Sequence, residues 1–381
     1  MKVVLSVDAV RFPLTGIGRY TYELARHLER SPDITELHYM AGRRFLPGLP
    51  SASDTSDGQH GLKRLVQTMP VAIEAYRLLM PWLKGQTLKG HEHFLYHSTN
   101  YYLPPFKGLR VATFHDLSPF VWPQCHSPHM ARFLRKELTQ TVRRADRLIT
   151  VSEFTRQELA NYFDWPLDRI DTVPLASAAV FHPREEAELR PVLERHGLKV
   201  GGYTLFVGTI EPRKNIQTLL DAYQRLPLAT RTRWPLVLTG YHGWCSEAIH
   251  ERLESARREG WAYYLGFVPG QDLPPLLAGA RLFTFPSLYE GFGLPVLEAM
   301  ASGVPVVCST TSSLPEVAGD AALMCEAMDV EALTALLARG LEDDAWRAHA
   351  VPAGLAHAAR FSWERCALET LNVYRRTVAS R

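Results

Sequence analysis

The sequence predicts an α/β protein built as two Rossmann-like halves in tandem, facing each other across a deep cleft. Three observations carry this expectation. The chain has 381 residues, more than one ordinary core organises, so two domains are expected. The order strand, glycine turn, helix occurs near residue 3 and again near residue 203. Between these points short β-rich runs alternate with helical patterns, which favours parallel sheets covered by helices.

Bulk properties narrow the function classes. Hydrophobic residues make up 46% and charged residues 22%, an ordinary globular composition. The formal net charge of +2 is too balanced for nucleic acid to be the main partner. Five cysteines, Cys125, Cys245, Cys308, Cys325 and Cys366, form no CxxC pair, which points to a reducing compartment and away from a disulfide framework or zinc site. Asp8 and Arg11 interrupt the N-terminal run, so it reads as a first strand and not an export signal. No apolar run approaches the ~18–20 residues of a membrane span. A cytoplasmic protein is expected.

In the first half, Val3 to Val7 is the opening strand, Gly16-Ile-Gly18 closes the loop after it, and Arg19 to Leu28 has helical spacing. Gly16 and Gly18 let backbone N–H groups approach an anion, although Thr21 stands where a full GxGxxG has its third glycine. A tight turn alone is the other reading. Residues 47–60 form a polar loop. Residues 61–90 carry Lys63, Arg64, Arg77, Lys84 and Lys89 against one acid, Glu74, interleaved with long apolar side chains. That pattern suits either core helices with a solvated basic face or an anionic lipid surface. Arg110 to Phe114 and Leu148 to Val151 read as strands. The first ends in His115-Asp116, where active residues of parallel sheets sit, though a packing histidine fits too. The second ends in Ser152, a plausible N-cap.

Residues 174–200 mark the seam. Beyond it, Tyr203 to Val207 is a strand, then Gly208-Thr-Ile-Glu-Pro-Arg-Lys-Asn215 leads into a helix from Ile216. Arg213 and Lys214 read as a diphosphate clamp near a helix N-terminus, or as a solvated basic turn, with Asn215 placed to cap the helix. Further strands are expected over 235–240, 263–266, 282–285 and 304–308, a helix over 331–341, and after Phe361-Ser-Trp-Glu-Arg365 an amphipathic helix to about Val378.

One stretch is the most informative, Glu290-Gly-Phe-Gly-Leu-Pro-Val-Leu-Glu298. Gly291 and Gly293 allow close backbone approach, and Pro295 fits the first turn of a helix from Leu294 to about Ala301. Helical side chains lean toward the N-terminus, so Glu298 points back toward the loop holding Glu290. Carboxylates repel phosphate and accept from hydroxyls, so a sugar ring on Glu290 and a ribose on Glu298 are expected. With phosphates between them on Arg213 and Lys214, the implied ligand is a nucleoside diphosphate sugar.

The two glutamates separated by seven residues, with Gly16-Ile-Gly18, His115-Asp116, Ser152 to Thr155, Gly208 to Asn215 and Phe361-Ser-Trp363, resemble the retaining GT-B glycosyltransferases of family 4 over essentially the whole chain. Within that family the chain looks most like bacterial mannosyl- or rhamnosyltransferases that use GDP-sugars to build lipopolysaccharide O-chains. The resemblance implies an acceptor-side domain over 1–183, a donor domain over 184–363 and a helix over 364–381 crossing back. It implies that Arg213 and Lys214 stabilise the leaving diphosphate and that His115 lies near the reacting centre. Glu290 and Glu298 would hold sugar and ribose, Gly208 would border the donor, and Gly291, Phe292, Gly293 and Leu294 would offer backbone groups to it. Gly16 and Gly18 would close over the diphosphate. It further implies a GDP-linked donor, a lipid-linked acceptor of the undecaprenyl diphosphate type, peripheral contact with the inner membrane through 61–90, and no cofactor. No DxD triplet occurs, so no metal is expected on the diphosphate.

Other readings are weaker. An NAD-dependent oxidoreductase needs the complete glycine fingerprint and leaves the second half unexplained. A two-lobed solute-binding protein normally carries an export signal. A UDP- or ADP-sugar donor, or a non-catalytic nucleotide-sugar binding protein, stays open on sequence alone.

Overall fold

The computed structural model describes residues 1–51, 70–125 and 128–380. Of the basic segment 61–90, residues 61–69, with Lys63 and Arg64, lie outside the described residues, as do residues 52–60 of the polar loop; Pro70–Thr87 is a helix. Thirteen strands are described, in two sheets. The first contains β1 (Lys2–Ser6), β2 (Glu36–Ala41), β3 (Arg44–Leu46), β4 (Leu95–Ser98), β5 (Leu109–Phe114), β6 (Arg147–Thr150) and β7 (Ile170–Thr172). Their order is β3-β2-β1-β4-β5-β6-β7, parallel except for the β2–β3 edge pair. The second contains β8 (Thr204–Val207), β9 (Leu236–Thr239), β10 (Ala262–Tyr264), β11 (Leu282–Phe285), β12 (Val306–Ser309) and β13 (Leu323–Cys325), in the order β10-β9-β8-β11-β12-β13, all parallel.

Parallel strands sheathed on both faces must be apolar on both faces. Accordingly Val3, Val4 and Leu5 are fully buried in β1, as are Leu282, Phe283 and Phe285 in β11. In each sheet the chain reverses direction of winding beside its first strand, between β1 and β4 and between β8 and β11. The crevice beyond the strand ends at such a point is the natural ligand position. The loops after β1, β5, β8 and β11 carry the residues singled out in the sequence.

The helix after β1 starts earlier than expected. It spans Gly16–Glu29, so Gly16 and Gly18 lie in its first turn and not in the preceding loop. The cause is close packing. A Cβ on Gly18 would come within 2.7 Å of the Ala9 carbonyl, so the helix start nests against the loop leaving β1.

The last helix, Trp363–Ala379, is capped by Ser362 Oγ, which accepts from Arg365 N at 3.1 Å. It returns to the first sheet, burying Cys366, Leu371, Val373 and Tyr374. Arg375 reaches Asp33 at 2.6 Å and Arg376 reaches Asp171 at 2.7 Å. Inside, His97 of β4 bonds the Tyr374 hydroxyl at 2.7 Å and Thr113 at 2.8 Å. Burial pushes the His97 imidazole down to about 3, so it is neutral at physiological pH. Tyr374→Phe should cost about 1–2 kcal/mol in urea unfolding by stranding a buried imidazole nitrogen, and an unchanged midpoint would show that this bond does not anchor the helix.

Candidate active site

The turn after β8 brings its charges into the floor of the cleft. Pro212–Lys214 is one turn of 3-10 helix, which puts Arg213 and Lys214 side by side. Lys214 Nζ donates to Glu290 Oε1 at 2.5 Å, and Arg213 Nη1 donates to Glu290 Oε2 at 3.2 Å and to the Tyr289 carbonyl at 2.7 Å. Arg213 also holds Glu211 Oε1 through Nε at 3.0 Å and Nη2 at 2.7 Å. Burial alone would push the Glu290 carboxyl up, but Lys214 and Arg213 outweigh it and hold it below the usual range. Burial and the neighbouring guanidinium draw Lys214 down, against the pull of Glu290. The two cations are thus matched by two carboxylates, and the group of four carries no net charge.

Asn215 departs from expectation. Its side chain does not cap the helix Ile216–Arg225; the residue adopts φ +57° and its amide donates to the carbonyls of Pro286 at 3.0 Å and Ala327 at 2.6 Å. It pins the loops beyond β11 and β13 to the cation turn. Gly208 borders the same turn, since a Cβ there would lie 3.6 Å from Lys214 Cε.

The Glu290 loop continues into the helix Leu294–Ala301, which begins and ends where the sequence predicts. Gly293 takes φ +100° at the N-cap, a conformation costly for any side chain. Gly291 has no room for one, because a Cβ would fall 1.7 Å from the His115 carbonyl oxygen. The Phe292 ring packs edge-on against Phe361 at 6.0 Å and so serves the core. Among the described residues no hydrogen bond engages the N–H groups of Gly291, Phe292, Gly293 or Leu294, which leaves them for a ligand at a helix N-terminus. Glu298 lies within that helix. Burial pushes its carboxyl up to about 8, only partly offset by Arg19 of the first helix.

The first sheet supplies the opposite wall. His115 follows β5, is buried, and donates Nε2–H to the Thr99 carbonyl at 2.8 Å. Burial pulls its imidazole down, so it stays neutral. The two halves are bonded across the cleft. Tyr289 OH donates to Glu158 at 2.5 Å and accepts from Leu117 N at 2.8 Å. Ser152 Oγ caps the helix Glu153–Phe163, as expected, and also donates to the Gly291 carbonyl at 2.7 Å. Glu316 accepts from Glu153 N at 2.8 Å and Phe154 N at 2.6 Å. Gly16 meets Leu294, with 3.9 Å between a Cβ there and Leu294 Cδ2. A cavity of about 850 Å³ opens in the first half, lined among others by Asp8, Arg11, Thr15, Lys84, Tyr102 and Glu137.

This two-sheet cleft was compared with known proteins. Residues 14–176 match the family model described as Glycosyltransferase Family 4, and residues 196–356 match that described as Glycosyl transferases group 1. The chain is 45% identical to O-antigen chain mannosyltransferase B of Escherichia coli over 379 residues, 98% of this chain and 100% of that one. The chain belongs to the GT-B glycosyltransferases. It is also 31% identical over 288 residues to the serotype-specific mannosyltransferase WbdA of Escherichia coli, covering 72% of this chain and 34% of that one. The structure of Anabaena HepE in complex with UDP and glucose matches the fold with a TM-score of 0.71 at 17% identity, over 100% of both chains.

In this glycosyltransferase the structure brings together Arg213, Lys214, Glu290, Gly291 and His115, and places Gly16 and Glu298 along the same seam. Gly18 and the Phe292 ring serve packing. Sequence reasoning missed Glu211, Tyr289, Glu158 and Glu316. Glu211 sits inside a motif already singled out and Tyr289 directly before one, whereas Glu316 carries no local signal, being 163 residues from the N–H it caps.

Two outcomes follow from the geometry. Gly291→Ala should abolish transfer, because its methyl collides with the His115 carbonyl across the cleft; near-normal transfer in a kinetic assay would show the contact to be dispensable. Glu298 is raised from 4.5 to about 8, so the unfolded chain releases its proton before the folded one does. Stability should therefore fall as pH rises through that window, and Glu298→Gln should flatten the fall in a series of melting temperatures from pH 5 to pH 9.

Proposed function

We propose that this glycosyltransferase moves a mannose-type sugar, mannose or D-rhamnose, from a GDP-sugar to a lipid-linked glycan in O-polysaccharide synthesis, with retention at the anomeric carbon. The observation that carries this reading is the full-length 45% identity to O-antigen chain mannosyltransferase B. The cleft chemistry supports it. Residues 184–363 would hold the donor, and residues 1–183 with the terminal helix would present the acceptor in the cavity beside Asp8 and Glu137.

The roles follow from charge. Breaking the anomeric C–O bond leaves negative charge on the diphosphate and positive charge on the sugar. Arg213 and Lys214 meet the diphosphate, and the free N–H groups of Gly291 to Leu294 take sugar and phosphate oxygens. Glu290 orients both cations and reads a sugar hydroxyl, Glu298 accepts from ribose, and the His115 turn borders the sugar. The bond to the acceptor oxygen forms on the face the leaving group vacates, and a diphosphate oxygen takes the acceptor proton. Closure of the cleft excludes water and limits hydrolysis. With cations supplied by the chain, the diphosphate is held without a metal. The enzyme would work in the cytoplasm, at the inner face of the membrane that carries its acceptor.

Calorimetric titration of GDP, UDP and ADP without metal tests the donor. Preference for GDP is the expected result, and preference for UDP or ADP overturns the mannose-type donor while keeping the fold. Lys214→Ala should lower transfer by about 100-fold or more. Turnover within a few fold of wild type, in protein whose circular dichroism is unchanged, would remove Lys214 from the leaving-group site.

A further inference from the structure

The four-charge cluster in the cleft floor raises a problem of charge. Arg213 and Lys214 are already matched by Glu211 and Glu290, at 2.7 and 2.5 Å. A nucleoside diphosphate sugar arrives as a dianion and leaves as a more highly charged nucleoside diphosphate. Two cations committed to two carboxylates, with the free N–H groups of Gly291 to Leu294, leave part of that charge unmatched, which a further cation within reach would meet.

The packing of two helix starts shows where it is. Gly16 opens the helix Gly16–Glu29 and lies against Leu294, which opens the helix Leu294–Ala301. One turn further along each helix, at positions i+3 and i+4, stand Arg19 and Glu298. The two helix starts are therefore in contact, and across this seam the Arg19 charge acts on the Glu298 carboxyl. Arg19 is not fully matched. Glu23 is 3.7 Å from Arg19 and 3.6 Å from Arg26, so one carboxylate is shared between two cations.

We propose that Arg19 is a donor-binding residue, supplied by the first half, that grips the ribose-side phosphate while Arg213 and Lys214 grip the sugar-side phosphate. The assignment rests on the cleft being a nucleotide-sugar site with ribose at Glu298 and sugar at Glu290. The ribose-side phosphate is then the one nearest Glu298, and hence nearest Arg19. Because Arg19 and Arg213 belong to opposite halves, the diphosphate bridges them, and donor binding draws the cleft shut. A donor lacking one phosphate would fill the second half yet give a weaker pull.

The test is calorimetric titration of GDP, GMP and guanosine into wild type, Arg19→Gln and Arg19→Lys, alongside transfer kinetics. A charge-assisted bond to phosphate predicts about tenfold or greater weakening of GDP binding in Arg19→Gln, a comparable loss for GMP, and no change for guanosine. Arg19→Lys should recover part of the loss, and added salt should narrow the gap between variants. Melting temperatures near wild type separate this from a folding defect. GDP affinity and KM for donor unchanged in Arg19→Gln would overturn the inference and leave the donor site intact. Wild-type protein that binds none of GDP, UDP or ADP would overturn the donor-site reading itself, and this inference with it.

Discussion

Glu290 is the point on which the cleft is organised. A carboxylate this deeply placed is tolerable only if matched, and it is matched twice, by Lys214 at 2.5 Å and Arg213 at 3.2 Å. That demand fixes much else. The cations must turn together after β8, which Pro212 and the 3-10 turn achieve. The loop beyond β11 must hold its distance from that turn, which the Asn215 amide secures by binding Pro286 and Ala327. Ser312 Oγ accepts from Glu290 N, and Ser313 Oγ donates to the carbonyls of Glu290 and Phe292, so the backbone on both sides of the carboxylate is tied down. The result is a floor whose charges cost little reorganisation when a ligand arrives.

The next residue carries the constraint across the cleft. Gly291 touches the His115 carbonyl so closely that no side chain could stand there, and its own carbonyl accepts from Ser152 and Thr155. A single backbone segment therefore serves the ion cluster on one side and the wall from the first sheet on the other. A shift of the Glu290 carboxylate would be felt at His115 through one peptide unit.

This explains what was legible in the sequence. The elements that pack within one half were read well, because apolar periodicity records local burial. The helix Leu294–Ala301, the strand Leu282–Phe285 and the N-cap at Ser152 all fall where local chemistry places them. Five strands are absent from the sequence reading: Arg44–Leu46, Ile170–Thr172 and Leu323–Cys325 are too short to show alternation, and Glu36–Ala41 and Leu95–Ser98 carry polar residues such as Glu36, His38 and His97 among their apolar ones. Gly16 and Gly18 read as loop because glycine is poor in helices, and the tight approach of Gly18 to the Ala9 carbonyl shows why a glycine stands in the first helical turn. Asn215 looked like a cap because it precedes a helix, yet two orphan carbonyls from distant loops claimed its amide. Glu316 and Tyr289 act between halves, and local sequence does not encode how two sheets face one another.

The contacts between the halves are of two kinds, since one apolar core runs from the first sheet into the second and the Phe154 ring meets Tyr289 at 5.9 Å. Each sheet is sealed by fully buried aliphatic and aromatic side chains, such as Val3, Leu5, Phe206 and Phe283. The seam at the cleft instead joins hydroxyls, carbonyls, N–H groups and carboxylates, in the bonds of Ser152, Tyr289 and Glu316. Giving up such a bond to water costs about 0.5–1.5 kcal/mol, or about 1.5–3 kcal/mol where a carboxylate accepts, whereas separating apolar faces costs more. The polar bonds at the cleft mouth can therefore exchange with water at less cost than the apolar core that joins the halves behind them. An enzyme of this fold must admit a ligand and release a product, and a cleft mouth held by exchangeable polar bonds over a continuous apolar core suits that demand.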